Sequence, residues 1–186
     1  MTMLFLDIRG FTTFAERLSA PAVVATLNLL FERIVPIIHR HHGHVDKYVG
    51  DGLLAVFGAP RRQDDHADQA LAGGIEIAAA VEDEFGDELS VGVGLNSGPV
   101  VAGNVGGASR LEFSVIGDAV NVAARVESAT RQTGDAVLIA WRTKELLTGT
   151  KIRFVERPGL TLKGKTQSVA IYAPVSPPAP SDKART

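Results

Sequence analysis

The chain has 186 residues, 45% of them hydrophobic and 22% charged, which suits one globular domain with a buried core, and its net charge of -2 gives no overall attraction to nucleic acid or an anionic membrane. The absence of cysteine excludes disulfides, zinc–thiolate centres and thiol nucleophiles, and it fits a reducing cytoplasm. No apolar run is expected to reach the roughly 18–20 residues of a membrane span, and the first six residues are too short and too poor in basic residues for a signal peptide.

Residues 3–8 (MLFLDI) read as a buried strand with Asp7 near its end. A strand starting almost at residue 1 suggests a domain cut from something longer, or a minimal natural version. Arg9-Gly10 breaks the strand, and Phe11, Phe14, Ala15 and Leu18 then fall at helical spacing. Ser19-Ala20-Pro21 restarts a helix, with Pro where its missing N–H is harmless. Leu27, Leu30, Phe31, Ile34, Val35 and Ile38 make that helix strongly amphipathic; Pro36 should kink or loosen it and Gly43 should end it. Residues 45–57 (VDKYVGDGLLAVF) place two apolar runs around Gly50-Asp51-Gly52, a β-hairpin with Asp51 at its tip. The flanking glycines permit positive φ and close approach to a ligand. A turn Asp bonded to its own backbone is the competing reading.

Asp64-Asp65 can cap a second long helix with Ala67, Ala70, Leu71, Gly74, Ile75, Ala78 and Val81 buried. Strands follow at 90–96 and 100–105, a flexible loop at 106–110, a strand at 111–116, and a helix at 119–130 with Asp118 as its cap. A strand at 136–140, a helix at 141–147, a strand at 152–155 and a closing hairpin (159–162 and 168–173, around Lys163-Gly164-Lys165) complete a domain over 1–173. The Pro-rich stretch 174–186 is expected to be a disordered tail. Trp141 and Phe154 are expected in the core, and Arg61, Arg62 and Arg131 as surface charge. The cluster His39, His41, His42 and His44 could be a metal site, but a solvated helix end, where protonated His is favoured, is the preferred reading.

Strand, helix, hairpin, helix, strand is the βαββαβ pattern of an α+β ferredoxin-like sheet, here with additional C-terminal α/β elements. With the third strand antiparallel beside the first, Asp7 meets Asp51, 44 positions away in sequence. Adjacent carboxylates raise each other's pKa unless a cation sits between them. Such a hard oxygen site suits Mg²⁺ or Mn²⁺, completed by substrate phosphates. Two such ions can activate an attacking oxygen and stabilise leaving pyrophosphate. The turn Ile8-Arg9-Gly10-Phe11-Thr12 offers backbone N–H groups at a helix start, which brings Phe11 and Thr12 into the candidate substrate site. A helix-capping role for Asp7 competes. In residues 113–125 (FSVIGDAVNVAAR), Asn121 and Arg125 are i, i+4 neighbours while Val122, Ala123 and Val126 turn inward. An Asn beside a guanidinium can hold a sugar and a phosphate together; an ordinary solvated face is the alternative.

These stretches, FLDIRGFT at 5–12, DKYVGDG at 46–52, VIGDAVNVAAR at 115–125 and LKGK at 162–165, together resemble the catalytic domain of class III nucleotidyl cyclases, most closely bacterial adenylate cyclases, over about residues 3–173. The resemblance implies that Asp7 and Asp51, with the backbone of Ile8, hold two Mg²⁺ or Mn²⁺ ions per site. It implies that Lys47 and Ser114 read the adenine, Asn121 orients the ribose, Arg125 stabilises charge on the α-phosphate, and Lys163 contacts the terminal phosphates. It further implies a homodimer with shared sites. One copy gives the aspartates and the other gives Lys47, Asn121, Arg125 and Lys163, while the 106–110 loop resembles an arm that reaches across the dimer.

Ser114 stands where adenylate cyclases usually have Asp. A hydroxyl can still accept from the adenine amino group, more weakly than a carboxylate. A bacterial subgroup with Ser or Thr here includes members that respond to bicarbonate. Guanylate cyclases typically carry Glu at the Lys47 position, so ATP is the expected substrate. The implied reaction is attack of the ribose 3′-OH on the α-phosphorus, giving 3′,5′-cyclic AMP and pyrophosphate through positioning and charge stabilisation. The expectation is thus a cytoplasmic enzyme domain without membrane or nucleic-acid contacts of its own, with room for an upstream sensor domain. The alternatives are a silent cyclase-like module that dimerises and regulates a partner, a guanylate cyclase, and a polymerase-palm-like nucleotidyl transferase. Against the last stand Asn121, Arg125 and Lys163 and the lack of a basic groove.

Overall fold

A computed structural model describes residues 1–86, 88–107, 110–161 and 168–175. The chain begins with β1 (Thr2–Arg9), the short α1 (Phe11–Ala15) and the long α2 (Ala20–Arg40). The hairpin of β2 (His44–Val49) and β3 (Gly52–Phe57) leads through α3 (His66–Phe85) to β4 (Ser90–Ser97). In the main sheet the order of these strands is β2-β3-β1-β4. β3 is antiparallel to both β1 and β2, and β4 is antiparallel to β1. This is the expected ferredoxin-like arrangement. A separate hairpin, β5 (Val101–Gly107) and β6 (Arg110–Ile116), precedes α4 (Asp118–Thr133). Then β7 (Val137–Ala140), α5 (Trp141–Glu145), β8 (Arg153–Thr161) and β9 (Ser168–Val175) extend the sheet beyond β4 in the order β7-β9-β8.

The central strands are buried on both faces, so they read as continuous apolar runs rather than alternating ones. Leu53, Ala55 and Phe57 of β3 pack with Leu4, Leu6 and Ile8 of β1 against Leu30, Ile34 and Ile38 of α2 and Leu71 and Ile77 of α3. Their strand neighbours Leu54, Val56 and Met3 face the other way, against Val115, Ala119 and Ala123. By the two-residue period of a strand, Asp7 and Arg9 lie on the Met3 side of β1, the side that α4 covers. β4 gives α4 a floor without side chains: a Cβ on Gly94 would stand 2.0 Å from the Glu127 backbone N.

Several local expectations are corrected. The expected strands at 152–155 and 159–162 are replaced by one strand, β8 (Arg153–Thr161), which absorbs Pro158-Gly159 in a register shift between Arg157 and Leu160; Leu162 lies outside the described residues. Pro174 and Val175, assigned to a tail, pair with Phe154 and Arg153 as the end of β9. Of the expected 106–110 loop, Gly106 and Gly107 belong to β5 and Arg110 to β6. Gly117 is the N-cap of α4 and Asp118 is its first helical residue. Asp65 holds the N-cap position of α3 without a side-chain cap; its carboxylate accepts from Gln69 Nε2 at 2.8 Å. α2 runs through Pro36 and ends in a Schellman turn in which His42, not Gly43, takes the positive φ. His41 is tied to Glu76 and Gln69 instead of standing in solvent. Trp141 is 42% exposed, under the Arg142 guanidinium. α2 is also long and apolar enough to cross a membrane by length and composition, contrary to expectation; one face of it, carrying Leu30, Ile34, Ile37 and Ile38, is buried in the fold. Residues 108–109, the Lys163-Gly164-Lys165 turn and residues 176–186 lie outside the described residues.

Candidate active site

The hairpin tip is built by a two-residue turn. Val49 pairs with Gly52, and Gly50 takes φ 62°, a left-handed value that glycine adopts freely. Leu6 pairs with Leu53, which brings the end of β1 to the start of β3. The approach there is so close that a Cβ on Gly52 would lie 2.0 Å from the Leu6 carbonyl oxygen and 3.1 Å from Asp7 Cα. Asp7 and Asp51 thus meet as the topology requires. Asp7's carboxyl is pushed above its ordinary value, first by burial and then by the Asp51 charge, with Arg131 opposing both. Two carboxylates whose proximity disfavours ionisation are a fitting donor pair for hard divalent cations such as Mg²⁺ or Mn²⁺. Among the described residues, His and acidic side chains nowhere gather in a group of three or more that could hold a metal, so neither does the histidine cluster.

Ile8 is buried in β1 beside Asp7, and Gly10 takes φ 68° to start α1 at Phe11. The first N–H groups of that short helix, including those of Phe11 and Thr12, have no partner within the helix by its geometry.

A second group assembles around Ser114 on β6. Lys47 Nζ donates to Ser114 Oγ at 2.8 Å, across 67 positions of sequence. Lys47 Nζ also stands 3.2 Å from Asp46 Oδ2. Asn121 and Arg125 are both exposed and share one face of α4, while Val122, Ala123 and Val126 are buried as expected. Lys163 lies outside the described residues.

Three charged residues, Arg131, Glu127 and Arg9, make contacts at the site that the sequence reading did not anticipate, although Arg131 is exposed as expected. Arg131, expected as surface charge, reaches from the last turn of α4 to Asp7 Oδ2, and lies 3.7 Å from Glu127 Oε1. Glu127 is 5% exposed, and burial holds its carboxyl above the usual value, again opposed by Arg131. A charged residue on the apolar stripe of Val122, Ala123 and Val126 was the signal available. Arg9, two residues after Asp7, caps the end of α4 through the carbonyls of Thr130 (3.2 Å), Gly134 (3.5 Å) and Asp135. Arg157 holds Asp135 with two hydrogen bonds of 2.8 Å each. The strand that carries Asp7 is therefore tied directly to the helix that carries Asn121 and Arg125.

Known proteins share this fold. An adenylate cyclase of Anabaena cylindrica is 35% identical over 187 residues, covering 92% of this chain and 36% of that protein. The chain thus spans about a third of the length of that relative, and 23% of an uncharacterised Mycobacterium tuberculosis protein to which it is 43% identical over 124 residues. The crystal structure of an adenylyl cyclase from P. aeruginosa superposes with a TM-score of 0.84 at 31% identity, covering 95% of this chain and 93% of that one. A guanylyl cyclase structure superposes with a TM-score of 0.85 at 33% identity, covering 97% and 94%. Residues 1–173 match the adenylate and guanylate cyclase catalytic domain, and the chain belongs to that family of nucleotidyl cyclases.

Proposed function

We propose that this domain is an adenylate cyclase that converts ATP to 3′,5′-cyclic AMP and pyrophosphate in sites shared between two copies of the chain. The observation that carries the reading is the Lys47–Ser114 pair, with 2.8 Å between Nζ and Oγ. Adenine presents an acceptor at N1 and a donor at its 6-amino group. An ammonium beside a hydroxyl answers both, since Lys only donates and Ser can accept. Guanine presents an N1–H donor, which Lys47 cannot accept.

Asp7 and Asp51, with the backbone of Ile8, would hold Mg²⁺ or Mn²⁺, which when bound supplies charge neutralisation at the triphosphate. Phe11 and Thr12 offer backbone N–H groups to the same phosphates. Asn121 orients the ribose so that its 3′-OH faces the α-phosphorus. Arg125, fixed one helical turn away, stabilises the charge that develops there. Lys163 serves the terminal phosphates. The dimer is supported by apolar side chains left exposed: Tyr48 (56%), Val101 (74%) and Ile116 (56%), the last two paired across the β5–β6 hairpin.

The test is purified protein with ATP or GTP and Mn²⁺ or Mg²⁺, assayed over a range of protein concentrations. Cyclic AMP from ATP, with specific activity rising with concentration, is the expected result. Preferential turnover of GTP would make the domain a guanylate cyclase. No product from folded, dimeric protein would make it a silent regulatory module. Bicarbonate stimulation and control by an upstream sensor belong to the same proposal, and a bicarbonate titration of the cyclase assay tests the first.

A further inference from the structure

We infer that Asp46 is a positioning residue for Lys47: its buried carboxylate, set on the Ser114 side of β2 by a β-bulge, aims the Lys47 ammonium at the substrate's base and so sharpens nucleotide selectivity. The inference rests on Lys47 being the residue that reads the base.

The bulge comes first. Val45 pairs with Ala55, and the next pair along is Lys47 with Leu54, so Asp46 is one extra residue on β2. Regular alternation would put residue 46 opposite Leu54 and Lys47 opposite Leu53. Leu53 belongs to the face packed on α2 and α3, whereas Leu54 belongs to the face with Val115 and Ala119. The inserted residue therefore keeps Lys47 on the Ser114 side. It also lets Asp46 stand beside Lys47 on that side, as the 3.2 Å between Oδ2 and Nζ requires.

The second observation is burial without partners. The Asp46 side chain is 0% exposed, while that of Lys47 is 48% exposed. Neither Asp46 oxygen has a hydrogen-bond partner among the described residues. A buried carboxylate in that state is unfavourable for folding. Among the described residues its one ion pair is with Lys47, so its effect is concentrated on that ammonium.

The consequence follows from donor counting. The ammonium has three N–H donors. One is given to Ser114 Oγ, the Asp46 carboxylate holds the ammonium by charge at 3.2 Å without accepting a hydrogen bond, and the donors that remain are left for the ligand. Without Asp46, Nζ sits on a flexible four-carbon stem with a single tether. A fixed N–H favours an acceptor at the purine N1 position and opposes a donor there. A loose one does neither well.

The experiment compares Asp46→Asn, Asp46→Glu and Lys47→Ala with the wild-type chain. Steady-state kinetics are measured with ATP and with GTP. Calorimetric binding of 3′-deoxy-ATP and 3′-deoxy-GTP, which lack the attacking hydroxyl, gives the same comparison without turnover. Melting is followed in the absence of nucleotide. Asp46→Asn is expected to raise KM for ATP by about tenfold, to change kcat much less, to narrow the ATP-to-GTP ratio of kcat/KM, and to leave Tm unchanged or raised. Asp46→Glu, which keeps the charge, should recover part of the ratio; if Asp46→Asn does not fold, Asp46→Ser takes its place and is judged by the same ratio. If Lys47→Ala weakens ATP binding but neutralising Asp46 leaves both KM and the ratio intact, Asp46 has no such role and the reading of Lys47 stands. If Lys47→Ala itself changes neither, the reading of Lys47 fails and this inference with it. A lowered Tm with unchanged ATP-to-GTP ratio would make Asp46 a structural residue only.

Discussion

Replacing Gly94 with alanine should displace the helix that carries Asn121 and Arg125. Gly94 lies within β4, paired with Phe5 of β1 on one side and Leu138 of β7 on the other. A Cβ there would stand 2.0 Å from Glu127 N, 2.5 Å from Glu127 Cα and 2.7 Å from Ala123 O. All three are helix backbone atoms that cannot rotate away. Ordinary contact begins near 3.4 Å, so one side must retreat by about 1 Å or more. The strand is held by ladders on both edges, which leaves α4 as the part that moves. A displacement of about 1 Å in a positioning group is worth on the order of 10²-fold in turnover. The same shift loosens the packing of Ala119, Val122, Ala123 and Val126, for a loss of roughly 1–3 kcal/mol. The assay is kcat for cyclic AMP formation measured beside Tm. Gly73→Ala serves as the control: Gly73 lies in α3, and the nearest atom to its added Cβ would be His41 Cδ2 at 3.4 Å, on a side chain that can move. The control should be neutral or slightly stabilising, as alanine is a better helix former by about 1 kcal/mol. Wild-type kcat and Tm in Gly94→Ala would refute the claim that this contact sets the height of α4. A lowered Tm with intact kcat would refute the claim that turnover depends on where α4 holds Asn121 and Arg125.

Three further outcomes test the site. Asp51→Ala and Arg125→Ala chains should each be inactive alone, but an equal mixture should regain about a quarter of wild-type activity, because half the dimers then carry one intact site; no recovery would count against sites shared between copies. Arg131→Gln should tighten Mn²⁺ binding to the nucleotide-free protein, followed by electron paramagnetic resonance, since the guanidinium occupies Asp7; unchanged or weaker binding would mean that the ion pair does not compete with metal. Glu127→Gln should stabilise the protein progressively relative to wild type as pH rises from the ordinary carboxylate range toward neutrality. Burial raises the folded-state pKa of Glu127, so its ionisation is resisted only in the fold and its contribution falls with rising pH. A difference in Tm between variant and wild type that stays flat or shrinks with pH would overturn that account.

The core of the fold was legible because its punctuation is local. Gly50 at a positive φ, the apolar runs on either side of it, and the helical periods of α2 and α3 each announce themselves within a few residues. Topology did the rest: β3 antiparallel to β1 forces Asp7 toward Asp51, and it does so whatever the details of packing. The misreadings occur where one local signal has two structural solutions. Pro158-Gly159 reads as a turn, yet a register shift lets β8 continue through it. Asp118 reads as the cap of α4, yet Gly117 takes that position and Asp118 becomes the first helical residue. Trp141 reads as core by size, but it opens a short helix, is 42% exposed and stacks with Arg142 at 5.7 Å.

The partnerships without a local signal share a different cause. Arg131 meets Asp7 over 124 positions and Lys47 meets Ser114 over 67, so neither partnership has a local trace. Only the second was within reach, through motifs that resemble a known family. Yet the sequence did carry a mark at each place. Glu127 interrupts the apolar stripe of α4, and Asp46 interrupts a strand next to a lysine. Both are charges where burial is expected, and local rules broken in a consistent fold tend to lie at functional sites. Each stands beside a cation: Glu127 lies 3.7 Å from Arg131, the partner of Asp7, and Asp46 lies 3.2 Å from Lys47, the partner of Ser114. On the function proposed above, in each case a buried carboxylate steadies a cation that a ligand would meet or displace, by binding at Lys47 or by evicting Arg131 from Asp7. Stability given up at these two positions is therefore the physical counterpart of pre-organisation at the site, and neutralising either carboxylate should leave the fold no weaker while loosening the cation in front of it.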